Sequence, residues 1–112
     1  MPSLEHAISM APVKFAPIDH ATSGNNSIVA ASAGKKIRVL CFGFVSAGTV
    51  TARFESAADG TALTGQMTMA VNTGFSSPFS PVGLFETVAG DALNLELSAG
   101  VSVDGFLVYQ LV

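Results

Sequence analysis

GKKIRVLCFGFVSAGTVTARFES, residues 34–56, carries two strand-like segments of opposite character. Thr49 to Glu55 alternates. Val50, Ala52 and Phe54 fall on one side and Thr49, Thr51, Arg53 and Glu55 on the other, as in a strand with one wet face. The segment before it does not. Ile37, Val39 and Cys41 make one apolar face, while Leu40, Phe42 and Phe44 make the opposite face apolar too. SAG at 46–48 separates the segments and predicts a hairpin. Strict alternation then places Ile37, Val39 and Cys41 in a core. Leu40, Phe42 and Phe44 are left needing a cover, from another subunit or from the chain's own N-terminal arm.

Outward from this stretch, strand signals recur between turn residues, the pattern of a sandwich or barrel. Strands are expected at Ser27 to Ala31, Ile37 to Ser46, Thr49 to Ser56, Gln66 to Val71, Val82 to Val88, Ala92 to Leu97 and Val101 to Val112. Turns are expected at SGNN (23–26), at Asp59-Gly60 within 58–65, at AGD (89–91) and at SAG (98–100). Pro78 and Pro81 keep 72–81 out of a central strand. Met67 and Met69, at strand spacing, read as core. Residues 1–17 differ. Three prolines and no sustained periodicity make them an extended N-terminal arm, with one or two helical turns at most over Leu4 to Met10 and an extended part around Val13 to Phe15. The fold expected is all-β: a two-sheet antiparallel sandwich, jelly-roll-like, of about eight strands over residues 18–112. In the last strand Val103, Leu107, Tyr109 and Leu111 share one face, and Phe106, Val108 and Val112 make the other apolar as well.

Composition sharpens the same point. The 112 residues make one domain. They are 49% hydrophobic and only 12% charged, with mean hydropathy +0.53, against about 25% charged in ordinary soluble domains. A membrane does not explain the deficit. No run approaches the ~20 apolar residues of a spanning helix, and alternating segments are too few for a single-chain barrel. Burial against other protein chains does. Five Lys and Arg against eight Asp and Glu leave no basic stripe for nucleic acid. Met1 to Ala11 lacks the apolar centre of a secretory signal. A single cysteine, Cys41, forms no internal disulfide and reads as a small core hydrophobe.

Groups that carry chemistry are sparse. His6 and His20 lack metal-ligand spacing. Asp59, Asp91 and Asp104 each stand beside glycine, as turn residues do, and are too isolated for a calcium loop. Asn25-Asn26-Ser27 matches a glycosylation acceptor only formally. No catalytic residue, metal or cofactor is expected, and the chain reads as a non-enzyme. Lys35, Lys36 and Arg38 are the one basic cluster, either solvated charges at a strand end or contacts to an acidic partner. The aromatics are eight Phe, one Tyr and no Trp. That counts against a sugar-binding platform, where Trp and Tyr predominate.

Taken together, SGNNSIVAASAGKKIRVL, VSAGTVTARFES, ALTGQMTMA and SPFSPVGLFETVAGDALNLELSAGVSVDGFLVYQL resemble a small β-sandwich module of tailed-bacteriophage virions, over about residues 18–112. The resemblance implies a capsid decoration (cement) protein or a head- or tail-fibre segment, with no catalytic signature. A decoration protein would self-associate, as a homotrimer, and bridge copies of the phage major capsid protein on the outer surface of the head, after synthesis in the host cytoplasm. The alternative is a fibre module reading host-surface glycans with the 58–65 and 72–81 loops. On the decoration reading, Leu40, Phe42, Phe44, Phe106 and Val108 are expected at the subunit interface. Leu4, Met10, Val13, Phe15, Lys35, Lys36 and Arg38 are expected at the capsid.

Overall fold

A computed structural model describes residues 11–112. Among these residues ten strands form two antiparallel five-stranded sheets packed face to face. Sheet A contains β1 (Lys14–His20), β10 (Val103–Leu111), β3 (Ile37–Ser46), β7 (Gly74–Ser76) and β8 (Phe85–Glu86), in the order β1-β10-β3 with β7 and β8 both on the far edge of β3. Sheet B contains β2 (Gly24–Val29), β9 (Leu93–Leu97), β4 (Val50–Ser56), β5 (Thr61–Ala62) and β6 (Met67–Met69), with β5 and β6 sharing the edge of β4. If each shared edge is taken as one interrupted strand, this is the order of an eight-stranded jelly roll. The strand count exceeds the expected eight because two edge strands are broken. Between β7 and β8 the prolines prevent a continuous ladder. Ser77, Ser80, Leu84 and Thr87 still donate their N–H groups to the carbonyls of Phe42, Leu40, Val39 and Ile37, so the chain follows the edge of β3 without being a regular strand.

The two-sided character of β3 has a local cause. Tyr109 pairs with Val39 and Val108 with Cys41, so Leu40 is an extra residue with no partner on β10. A bulge of this kind shifts alternation by one residue. Before it, Ile37 and Val39 point into the sandwich; after it, Phe42 and Phe44 do. Phe42, Phe44 and Leu40 are therefore interior residues, not the subunit contact expected of them. Phe42 and Phe44 are members of the core, and Leu40 is fully buried at the bulge. Cys41 moves the opposite way. Expected inside, it lies on the outward parity and is only half-buried.

The core between the sheets is aromatic at its centre. Phe54 of sheet B meets Phe42 edge-on at 5.0 Å and lies 6.1 Å from Phe44 and 5.2 Å from Phe85. Around it pack Ile18, Leu107 and Val103 of sheet A and Leu93, Leu95, Leu97 and Met69 of sheet B. Each large side chain buried this way contributes about 1.5–3 kcal/mol.

Two strand starts differ from the sequence reading. SGNN was expected to be a turn, yet β2 already begins at Gly24. Asn26 donates to the Leu95 carbonyl of β9 at 3.2 Å, and Asn25 accepts from Asn94 at 3.0 Å. Asn26 also donates to the local Thr22 carbonyl at 2.8 Å, so it ties the entry of β2 together while both asparagines make cross-strand contacts. Residues 14–17, placed in the arm, lie in β1, which pairs with β10 along its whole length. Pro17 is tolerated because β1 is an edge strand.

The bulge makes the two halves of the apolar set unequal. Phe42→Ala or Phe44→Ala should lower stability by about 3–5 kcal/mol, as expected for emptying a packed core site. Phe106→Ala should cost under about 1 kcal/mol in dilute solution, since its ring is half in water. Urea unfolding followed by far-UV circular dichroism checks this. Equal losses at all three positions would contradict the placement.

Candidate interaction surface

The outer faces of the two sheets differ in chemistry. On sheet B the outward positions are Asn25 and Ser27 of β2, Asn94 and Glu96 of β9, and Thr51, Arg53 and Glu55 of β4. These side chains satisfy one another. Glu55 is fully buried. Its carboxylate accepts from Arg53 Nε at 2.8 Å and from Asn94 Nδ2 at 3.0 Å. Asn94 also donates to Asn25, so one chain of hydrogen bonds crosses β4, β9 and β2. Buried polar groups of this kind are tolerated because they are paired.

On sheet A the outward positions are Phe15, Pro17 and Asp19 of β1, Asp104, Phe106, Val108 and Gln110 of β10, and Arg38, Cys41, Gly43 and Val45 of β3. The middle of this face is apolar and open. Phe15 is 79% exposed and Phe106 51%, and Val45, level with Asp104 at one end of the face, is 48% exposed. Phe106 lies across Gly43: a Cβ there would sit 2.8 Å from its ring, so only glycine lets the ring lie flat on β3. Single exposed hydrophobics are ordinary, but a contiguous cluster on three adjacent strands makes this face the candidate interaction surface.

The expected contact residues divide across this geometry. Phe106 and Val108 are on the outer face, as anticipated, while Leu40, Phe42 and Phe44 are beneath it. Phe15 is the most exposed of the large hydrophobics, and Val13, just before β1, is 46% exposed. Leu4 and Met10 lie outside the described residues. Lys35, Lys36 and Arg38 gather at one end of sheet A, where Lys36 N–H donates to the Val112 carbonyl. Arg38 Nε lies 2.9 Å from Glu86 Oε2, and Lys36 Nζ lies 3.5 Å from Glu86 Oε1. The Arg38 hydrogen bond, with Lys36 adding, holds the Glu86 carboxyl below its ordinary range. Beside Arg38 a shallow hollow of about 290 Å³ is lined by Val82, Gly83, Leu84, Phe85 and Glu86. Pro17, Cys41 and Val45 were not anticipated on the surface. The alternating apolar positions Phe15 and Pro17 were the available signal for β1, but nothing local in the sequence locates the bulge that exposes Cys41 and Val45.

Among the described residues, no group of three or more His, Cys, Asp or Glu side chains is placed to hold a metal ion. No protein-family model matches the chain, and neither the curated proteins nor the solved structures searched contain a match.

The polar face yields a pH prediction. The hydrogen bond with Glu55, followed by desolvation, raises the Glu96 pKa above its ordinary value. The folded protein therefore holds that proton more tightly than the unfolded chain. The associated stability is present below the unfolded pKa and lost as pH rises through the folded pKa. Glu96→Gln, which keeps a donor at every pH, should raise the melting temperature at neutral pH and change it little in mildly acidic buffer. Thermal melts across that range test this, and a gain of equal size at both ends would contradict it.

Proposed function

We propose that this chain is a structural subunit of a tailed-bacteriophage virion: an outer capsid decoration protein that associates with itself and braces the head by bridging neighbouring copies of the major capsid protein. The observation that carries the reading is the contrast between the sheets. The outer face of sheet B is internally satisfied and hydrophilic, whereas that of sheet A presents Phe15, Phe106 and Val45 to solvent. A subunit with one finished face and one apolar face suits life in an assembly. The virion resemblance over residues 18–112 supplies the kind of assembly. The work is mechanical. Apolar area buried at each contact contributes roughly 25 cal/mol per Å² before association costs, and repetition over a shell multiplies it. Lys35 and Lys36, at the rim of sheet A, are the candidate contacts to an acidic capsid surface.

Shells lacking this protein, mixed with the purified chain, should bind it to saturation and melt at a higher temperature. Virions should carry it in hundreds of copies. Protein that stays in the supernatant when shells are pelleted would overturn the reading. So would a count of a handful per virion, which would point to a fibre.

A further inference from the structure

Gln110 is an outward residue that water does not reach. It stands on the outer face of sheet A, level with Arg38 near the end of β10, and is 1% exposed. Its Nε2 donates to the Ala11 carbonyl at 2.8 Å. A side chain that rises from a sheet reaches this carbonyl only if the chain there has left the plane of the sheet on the same side. The backbone agrees, because it bends at Ala11 and β1 does not begin until Lys14. The chain at Ala11 therefore lies over the outer face, above β10. The apolar positions of this face divide accordingly. Phe15, on the edge strand, and Phe106 and Val45, farther from Gln110, are open to solvent. Val108 and Cys41, the next outward pair after Gln110 and Arg38, are half-buried.

We propose that residues 1–10 continue from Ala11 across the outer face of their own chain's sheet A, as a strap covering the Val108–Cys41 part of its apolar surface. This occupant is favoured over a second copy by where the segment starts. The Gln110 bond already holds Ala11 on this face, so docking is intramolecular and draws on a high effective concentration. Reach favours it too. Cys41 is two residues along and one strand across from Gln110, about 8 Å away. Three extended residues span about 10 Å, which brings Ile8 over Cys41. The composition suits such a surface: MPSLEHAISM offers Leu4, Ala7, Ile8 and Met10, with Glu5 its one acidic side chain. The strap withdraws Val108 and Cys41 from partners and leaves them Phe15, Phe106 and Val45. Met10, which the virion resemblance assigns to the capsid, then belongs to the subunit's own cover. The inference concerns the chain alone and does not rest on the proposed function, so its test contains no shells.

Cys41, the chain's one cysteine, reports on the cover. In the full chain its alkylation by iodoacetamide should be slower than in the urea-unfolded chain and independent of protein concentration. I8D, and separately Q110L, which removes the tie to Ala11, should each speed it at least about fivefold with an unchanged far-UV circular dichroism spectrum. On mild oxidation I8C should close an intrachain disulfide with Cys41, a bond that needs Cα atoms within about 7 Å, and remain monomeric with both thiols lost. The two Ile8 variants stand even if Q110L, whose site is buried, fails to fold. An alkylation rate that I8D leaves unchanged overturns the proposal, as does I8C that stays reduced. A covalent dimer of I8C overturns it as well, and so does protection of Cys41 that grows with protein concentration, since either gives the face to a second copy.

Discussion

The fold depends on one unpaired residue. Leu40 sits opposite no partner on β10, and its insertion turns β3 over halfway along its length. Without the turnover, Phe42 and Phe44 would face out while Ile37 and Val39 faced in. The aromatic cluster around Phe54 would lose the sheet A side of its packing. A core of this size has little redundancy, and net stability is a small difference between large terms. The bulge is buried, and the irregular chain between β7 and β8 bonds the carbonyls on both sides of it. That bonding occupies an edge of β3 that would otherwise present unpaired groups to another chain.

This geometry also decides which side chains the outer face of sheet A exposes. Because the phenylalanines of β3 turn inward, the outer face of sheet A is built from smaller β3 residues, Cys41, Gly43 and Val45, with Phe15 and Phe106 rising beside them. Gly43 lets Phe106 lie low across the sheet. The result is a comparatively flat apolar field, bounded by carboxylates at one end and cations at the other. Sheet B has gone the other way, investing its outward positions in the Arg53–Glu55–Asn94–Asn25 chain of contacts.

Much of the architecture is legible in the sequence, for definite reasons. β4, β9 and β10 each keep one alternation from end to end, so their inward residues can be read directly. The jelly-roll-like sandwich follows from the spacing of those strands and their turns. What is not legible is set by distant partners. The bulge at Leu40 is defined by β10, more than sixty residues away in sequence, and VLCFGF alone fits either parity. β1 hides because its inward residues, Ala16 and Ile18, sit beside a proline. β2 begins early because the backbone pairs with β9 from Gly24 onward, and Asn25 and Asn26, ordinary turn formers, add side-chain bonds to Asn94 and Leu95. The apolar outer face of sheet A is half legible for the same reason. Phe106 and Val108 follow from a regular strand, whereas strict alternation points Phe42 and Phe44 outward and the bulge breaks that alternation.

The pairing of β1 with β10 has a consequence for how the molecule is made. Among the described residues β10 is the one neighbour of β1 in its sheet, so this pairing of Lys14–His20 must wait until Val103–Leu111 has been synthesised and has left the ribosome. Contacts this far apart in sequence form slowly. During that wait the edge of β3 that pairs with β10 is without its neighbour as well. Biogenesis thus has a vulnerable interval in which Ile18 and the β10-side edge of β3 are both open, and aggregation competes with closure of the sheet. Expression temperature and chaperone supply should therefore govern the yield of native protein more than its final stability does.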